Sequence, residues 1–152
     1  MNIEETIKNT APLSLSAKTV INIMYTSRFV EELASSLFKS NDLTPQQYNV
    51  LRILRGQKGK PANLATIQER MIDKSSNTTR LIDKLIDKGC VKRQICAKNR
   101  RKIEVFITSE GLDLLQGLDP SIEKLNQAIV EHLSTHEKEN LNVLLDKLRN
   151  KD

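Results

Sequence analysis

The feature that most constrains the fold is a change of hydrophobic period from helical spacing to strict alternation within one short stretch of chain. Four apolar residues first recur at helical spacing, and their run ends at Gly89, a residue suited to the left-handed conformation that closes a helix. They are Leu81, Ile82, Leu85 and Ile86. Residues 103–107 then carry β-branched apolar side chains at every second position, and residues 91–95 form a second strand-like run. Since the polar segment 97–101 separates the two runs, the sequence predicts a β-hairpin directly after a helix.

Helical spacing and residues typical of helix starts predict three further helices before this helix and hairpin. Residues 17–39 carry one long helical stripe of apolar side chains. The segment 44–47, Thr-Pro-Gln-Gln, combines an N-cap, a proline at the first helical position and the glutamine of a capping box, and it predicts a second helix. Asn63 caps a short third helix, and the segment 73–76 predicts that the next helix begins at about residue 74. Residues 1–15 show no clear period, which favours a loose arm.

Two more helices are predicted after the hairpin. Apolar residues spaced 3, 4, 3 and 4 apart between Leu115 and Ile129 form a seam of the coiled-coil type. Pro120 lies within this seam, so we expect the helix to kink there or to restart after Asp119. A capping box at 134–137 then predicts a last helix.

Composition excludes several classes of protein. With 152 residues, of which 38% are hydrophobic, the chain suits one globular domain. It has no apolar stretch that could span a membrane and no basic, then apolar, secretory leader, so we expect a cytoplasmic protein. No phosphate loop, dinucleotide fingerprint or catalytic grouping occurs, and His132 and His136 lack an obvious third metal ligand. We therefore expect neither an enzyme nor a cofactor.

Charge is distributed very unevenly along the chain. Between Lys74 and Lys102 there are ten Lys or Arg residues and two Asp residues, a net charge of +8, although the whole chain carries only +5. A solvated surface is one interpretation of such a run, and binding to nucleic-acid phosphates is the other.

The order of short helix, helix and basic hairpin is that of a winged helix-turn-helix, in which the second helix of the motif enters the DNA major groove. Short hydrogen-bonding side chains and cations at the start of that helix are of the types that contact bases and phosphates. The candidates are Ser76, Asn77, Thr79, Arg80 and Lys84. The hairpin adds Lys98, Arg100 and Arg101, of which the two Arg residues could enter the adjacent minor groove. Capping of the helix is the alternative role for these polar residues, and for Ser75 we favour it.

The stretch from Asn63 to Gly111 resembles the MarR (multiple antibiotic resistance regulator) family. The matching pieces are Asp73-Lys74-Ser75, Thr79-Arg80-Leu81-Ile82-Asp83-Lys84-Leu85, Lys88-Gly89, and Arg100-Arg101 followed by Val105, Thr108 and Gly111. The resemblance implies a homodimer whose terminal helices interlock, and a repressor that a small ligand or oxidation of a cysteine releases from DNA. The family's hairpin usually carries Asp two residues before the second Arg. Here that position is Asn99, so the charge assistance that an Asp would give to Arg101 is lost.

The resemblance also implies an effector pocket between the long helices and the DNA-binding lobe. In this chain it would involve Tyr25, Arg28 or Phe29 from the first helix and Tyr48 and Arg52 from the second. Two tyrosines and two arginines suit a small aromatic carboxylate. Packing of the aromatic residues in the core or at an interface is the alternative.

These observations predict a mainly α protein with a small β-hairpin, in which residues 1–152 form one domain. Residues 44–108 would be the DNA-binding lobe, and residues 17–40 and 109–150 the dimerisation helices. The expected partners are double-stranded DNA with a pseudo-palindromic operator, and a second copy of the chain. The alternative is a dimeric interaction or redox-sensing protein on the same fold, which would respond through Cys90 and Cys96. A buried, inert Cys90 is the simpler interpretation of that residue.

Overall fold

The computed structural model describes residues 1–150 and confirms a mainly helical chain with one hairpin. The helices are α1 (Ile3–Thr6), α2 (Leu15–Lys39), α3 (Pro45–Gly56), α4 (Leu64–Arg70), α5 (Thr78–Asp87), α6 (Ser109–Ile129) and α7 (Thr135–Arg149), and the strands are β1 (Val91–Cys96) and β2 (Asn99–Ile107). The chain forms two compact units, which divide within α6 after Leu115. The predicted single domain and its lobe boundaries stay predictions.

The predicted helix starts are confirmed where the signal is a local cap. The Thr44 side chain accepts a hydrogen bond from the Gln47 backbone N–H, and the Gln47 side chain accepts one from the Thr44 N–H, each at 3.1 Å. Ser134 and Glu137 form the same reciprocal pair at the start of α7. Asn63 caps α4 by accepting from the Thr66 N–H at 2.8 Å. Each contact satisfies N–H groups that the first turn of a helix leaves unpaired.

The N-terminal residues are more ordered than the expected loose arm. Asn2 and Glu5 form a capping box around the short helix α1, and Ile3 is buried. The Glu4 carboxylate accepts a hydrogen bond from the Leu13 N–H at 3.1 Å and pairs with Lys18 at 2.8 Å, which joins α1 to the first turns of α2. The prediction failed here because four residues of helix are too few to show a period.

Helix α6 passes through Pro120 without ending, so of the two predicted alternatives the restart after Asp119 is wrong and the kink stays a prediction. A proline removes one backbone hydrogen bond from a helix, and this loss does not end the helix when its neighbours are held by packing. Leu115 and Leu118 are buried before the proline, and Ile122 and Leu125 are half-buried after it.

The core of the first unit is aliphatic and lies among α3, α4, α5 and the hairpin. Its fully buried side chains include Leu51, Leu54, Ile67, Met71, Ile82, Leu85 and Val105. The strands β1 and β2 pair antiparallel, with Val91 opposite Ile107 and Ile95 opposite Ile103. A single bridge from Ala62 to Val105 ties the segment before α4 to the hairpin.

Two glycines shape the chain on either side of the hairpin. Gly89 has φ +72°, and the Cys90 N–H bonds back to the Leu85 carbonyl at 3.0 Å, as in a left-handed helix end. Gly111 lies where a Cβ atom would overlap the Cys90 carbonyl oxygen and would sit 2.8 Å from Ile107 Cγ1. The close approach of α6 to the hairpin therefore requires glycine at position 111.

Among the described residues, no helix is both long enough and apolar enough to cross a membrane.

Candidate nucleic-acid interface

Helix α5, the predicted reading helix, begins four residues later than expected. The sequence predicted a start near Lys74, but the first helical residue is Thr78. The Asp73 carboxylate accepts hydrogen bonds from the Ser75 N–H at 3.0 Å and from the Ser75 hydroxyl at 2.6 Å. These bonds lower the pKa of Asp73 and give the backbone a turn in place of a helix. Residues 71–77 are therefore a non-helical connection between α4 and α5, with a turn at Lys74 and Ser75.

Asn77 caps α5, and Ser75 does not. The Asn77 side-chain Oδ1 accepts a hydrogen bond from the Arg80 backbone N–H at 3.1 Å. The residue is exposed, and the cap does not use its amide N–H₂ group. Asn77 thus has a structural role as the N-cap, and its base-reading role stays a prediction.

Four of the predicted DNA-reading residues line one groove of about 420 Å³ between the start of α3 and the start of α5. They are Ser76, Asn77, Arg80 and Lys84. Arg80 and Lys84 lie one helical turn apart and are both exposed, so the wall formed by α5 is cationic. Thr79 is also exposed on α5 but does not line this groove.

The hairpin presents the remaining three predicted residues. Lys98, Arg100 and Arg101 are all exposed at or beside its tip. Cys96 pairs with Asn99, which leaves a two-residue connection and an irregular register just before it. The Asn99 side chain accepts a hydrogen bond from the Arg101 backbone N–H at 3.1 Å. Asn99 therefore orders the backbone of the turn.

One contact between the hairpin and α5 was not predicted. The Arg93 guanidinium on β1 bonds to the Asp83 carboxylate on α5 at 3.0 Å, with both side chains about half exposed. The pair joins the two elements that carry the predicted DNA contacts. The two residues lie ten positions apart in different elements, and no local signal in the sequence links them.

The two cysteines differ in environment and neither forms a disulfide. Cys90 is buried, and burial raises the pKa of its thiol, which disfavours the reactive thiolate. The prediction of a buried Cys90 is therefore confirmed. Cys96 is partly exposed beside Lys102 in a small cavity of about 140 Å³ between residues 61–63 and the hairpin. Within residues 1–150, no three His, Cys, Asp or Glu side chains are grouped as metal ligands.

Two of the five residues predicted to line an effector pocket make side-chain contacts that account for their positions. Tyr48 stacks on Phe38, with ring centroids 4.6 Å apart, so this ring also packs α3 against α2. Arg28 is exposed and pairs with Glu31 at 2.9 Å on its own helix. The other three, Tyr25, Phe29 and Arg52, are exposed. The pocket stays a prediction.

A helix-turn-helix followed by a basic hairpin, with cations on both, defines a winged-helix protein of the DNA-binding class. A profile of the MarR family matches residues 43–103, which include α3, α4, α5 and most of the hairpin. The MarR transcription factor from Planctomyces limnophilus is 30% identical, with 90% of this chain and 98% of that chain covered and a TM-score of 0.69. The chain belongs to the MarR family. It is a transcriptional regulator, as the proteins of this family are, and not an enzyme.

Two other relatives are similar over most of this chain. The transcriptional regulator HosA of Escherichia coli is 25% identical over 126 residues, which are 83% of this chain and 87% of HosA. The structure of Bordetella bronchiseptica BpsR is 21% identical, with coverages of 88% and 99% and a TM-score of 0.77. It was determined to explain how 6-hydroxynicotinic acid regulates the DNA binding of BpsR.

Proposed function

We propose that this regulator binds a pseudo-palindromic operator in double-stranded DNA as a homodimer and acts as a repressor. The observation that carries the proposal is the exposed cationic surface that α5 and the hairpin form within one unit. Arg80 and Lys84 lie on α5, and Arg100 and Arg101 lie on the hairpin. We assign α5 to the major groove and the hairpin to the adjacent minor groove. A protein that binds DNA in this way acts in the cytoplasm, which is the location that we propose for it.

Within this surface we assign different tasks to different residues. Lys84 and Lys98 would neutralise phosphates, which gives affinity without sequence preference. Asn77 and Arg80 lie at the start of α5, where side chains reach base edges, and would supply sequence preference. Ser76 and Thr79 would add neutral hydrogen bonds, and Arg100 and Arg101 would contact the backbone or the minor groove.

Helix α7 supports the proposed homodimer. None of its residues is buried, although Leu141, Leu144 and Leu148 fall on one helical face and are each 43–62% exposed. A helix of 15 residues with an unpaired apolar face is marginal in water. Helix α2 likewise exposes apolar side chains, such as Leu15 and Met24. A second copy of the chain would cover these faces by two-fold symmetry and would place two α5 helices on one face of DNA.

The direct test is selection of bound sequences from a randomised pool of duplexes, together with light scattering. We expect a selected sequence with two inverted half-sites about one helical turn apart, and a scattering mass of twice 17.3 kDa. A monomer at micromolar concentration would refute the dimer. A dimer that enriches no sequence would be an interaction protein on this fold, and a Cys96→Ser variant would then test the remaining redox alternative.

We also propose that a small aromatic carboxylate releases the protein from DNA. Support comes from Tyr25, Arg28, Phe29, Tyr48 and Arg52, whose chemistry suits such a ligand, and from the effect of 6-hydroxynicotinic acid on BpsR. The ligand would act by binding two arrangements of the DNA-binding surfaces with different affinities. Titration of salicylate and 6-hydroxynicotinate against the protein–DNA complex tests this. If neither changes DNA affinity at millimolar concentration, the pocket assignment is wrong.

A further inference from the structure

We propose that Gln68, on helix α4, is the positioning residue that sets where helix α5 begins and how it is presented to DNA. This inference rests on the proposed function, because it concerns how the same surface selects a sequence. Gln68 is half-buried and lies outside the set of predicted DNA contacts. Its importance comes from its partners, which lie on both sides of the connection between α4 and α5.

The side-chain amide of Gln68 uses both of its polar atoms. Nε2 donates a hydrogen bond to the Lys74 backbone carbonyl at 3.1 Å, in the middle of the connection. Oε1 accepts a hydrogen bond from the hydroxyl of Thr78, the first residue of α5. Thr78 is buried, so its hydroxyl depends on this protein partner and not on water. One side chain thus fixes the middle of the connection and the start of the reading helix relative to α4.

Other side chains anchor the beginning of the connection. Asn49 on α3 is buried, and its Oδ1 accepts a hydrogen bond from the Ile72 N–H at 2.8 Å. Gln46 makes a longer contact of 3.4 Å with Asp73. From Lys74 onward, the hydrogen bonds described that come from a helix other than α5 all come from α4. The Glu69 carbonyl accepts one from the Lys74 ammonium, and Gln68 bonds to the Lys74 carbonyl and to the Thr78 hydroxyl. Of these two residues, Gln68 is the one that also holds the first residue of α5.

This arrangement separates affinity from selectivity. Base readout needs the side chains of α5 within a fraction of an ångström of their productive positions, and the residues behind them supply that precision. Attraction to phosphates depends on charge and tolerates small movements. Removal of the Gln68 hydrogen bonds should therefore weaken binding to the preferred sequence and leave binding to other DNA almost unchanged.

The test compares the full-length wild type with Gln68→Ala on two duplexes of equal length. One duplex is the sequence that the wild type selects from a randomised pool, and the other has scrambled sequence. We expect Gln68→Ala to bind the selected duplex about tenfold more weakly and the scrambled duplex within about twofold of wild type. A role confined to stability would instead lower both affinities equally, through the fraction of folded protein.

Thr78→Val provides a milder variant if Gln68→Ala does not fold, because it removes one hydroxyl at nearly constant volume. We expect it to lower selectivity in the same direction and to be non-additive with Gln68→Ala. Thr66→Val removes a hydroxyl from α4 itself and is the matched control, which should keep wild-type selectivity. Unchanged selectivity in Gln68→Ala and Thr78→Val would overturn this inference alone. A wild type without sequence preference would overturn the proposed function as well.

Discussion

Asn77 offers the sharpest test of the reading surface, because its cap and its proposed base contact use different atoms. The cap uses Oδ1, which accepts the Arg80 N–H at 3.1 Å, whereas a base contact would use the exposed amide N–H₂ group. Asn77→Ser retains a capping oxygen, since Ser and Asn are about equally good N-caps, and it removes the amide donor. Asn77→Ala removes both.

The two variants should differ in stability and agree in DNA selectivity. For Asn77→Ala we expect a loss of about 1 kcal/mol in the free energy of unfolding, and for Asn77→Ser only a few tenths. Both should lose about 1–3 kcal/mol of discrimination between the selected base pair and its alternatives, which is roughly 5- to 150-fold in relative affinity. Urea denaturation measures the first quantity, and competition binding with single-base-pair variants of the selected duplex measures the second.

The result that would refute the reasoning is an Asn77→Ser protein with wild-type sequence preference. Asn77 would then be a cap only, and the base-reading role would fall to its neighbours on α5. Equal loss of stability in both variants would contradict the capping geometry instead.

Three further predictions concern other parts of the molecule. Arg100→Ala and Arg101→Ala should each weaken DNA binding. Each should also reduce the slope of log K against log salt by about 0.9 for each phosphate that the variant no longer neutralises. An unchanged slope in both variants would exclude the hairpin from the interface. Gly111→Ala should destabilise the first unit by about 1–3 kcal/mol in urea denaturation, because the new Cβ would overlap a backbone carbonyl. A Cβ at Gly117, in the same helix, would meet open space, so Gly117→Ala should not destabilise the protein. The hydrogen bonds of Asp73 lower its pKa below the ordinary 3.8, so their contribution to stability is present above that pH and is lost as the pH falls through the lower folded value. The stability advantage of wild type over Asp73→Asn should accordingly shrink under acid conditions, and an advantage that grows with acid would reverse the assignment.

The sequence predicted best the features that depend on neighbouring residues. The capping boxes at Thr44 and Ser134 use side chains three positions apart, and the alternating apolar residues of β2 are centred on Val105, which is buried. Gly89 closes α5 as its place in the pattern indicated. For these features, the local preference of the residues agrees with the final fold, so packing did not change the local structure.

The errors arose where two local signals compete or where packing decides. The segment 73–76 contains good helix-start residues, but the Asp73–Ser75 turn is also local and keeps the chain out of a helix until Asn77. Pro120 is a strong break signal, yet burial of the surrounding seam holds α6 continuous. The anchors Asn49 and Gln68 could not be predicted, because their partners are 23 and 10 residues away and are brought close only by the folded lobe.

The exposed apolar face of α7 has a consequence for how such a regulator would respond to its own abundance. If two copies must meet before these leucines are covered, the concentration of DNA-competent protein rises as the square of the monomer concentration while dimers are scarce. Mass action then also makes the melting temperature depend on protein concentration. Promoter occupancy would rise steeply over a narrow range of expression, and a modest drop in synthesis would relieve repression without any effector. Substitutions such as Leu144→Ala would move that threshold, although no residue that touches DNA has changed.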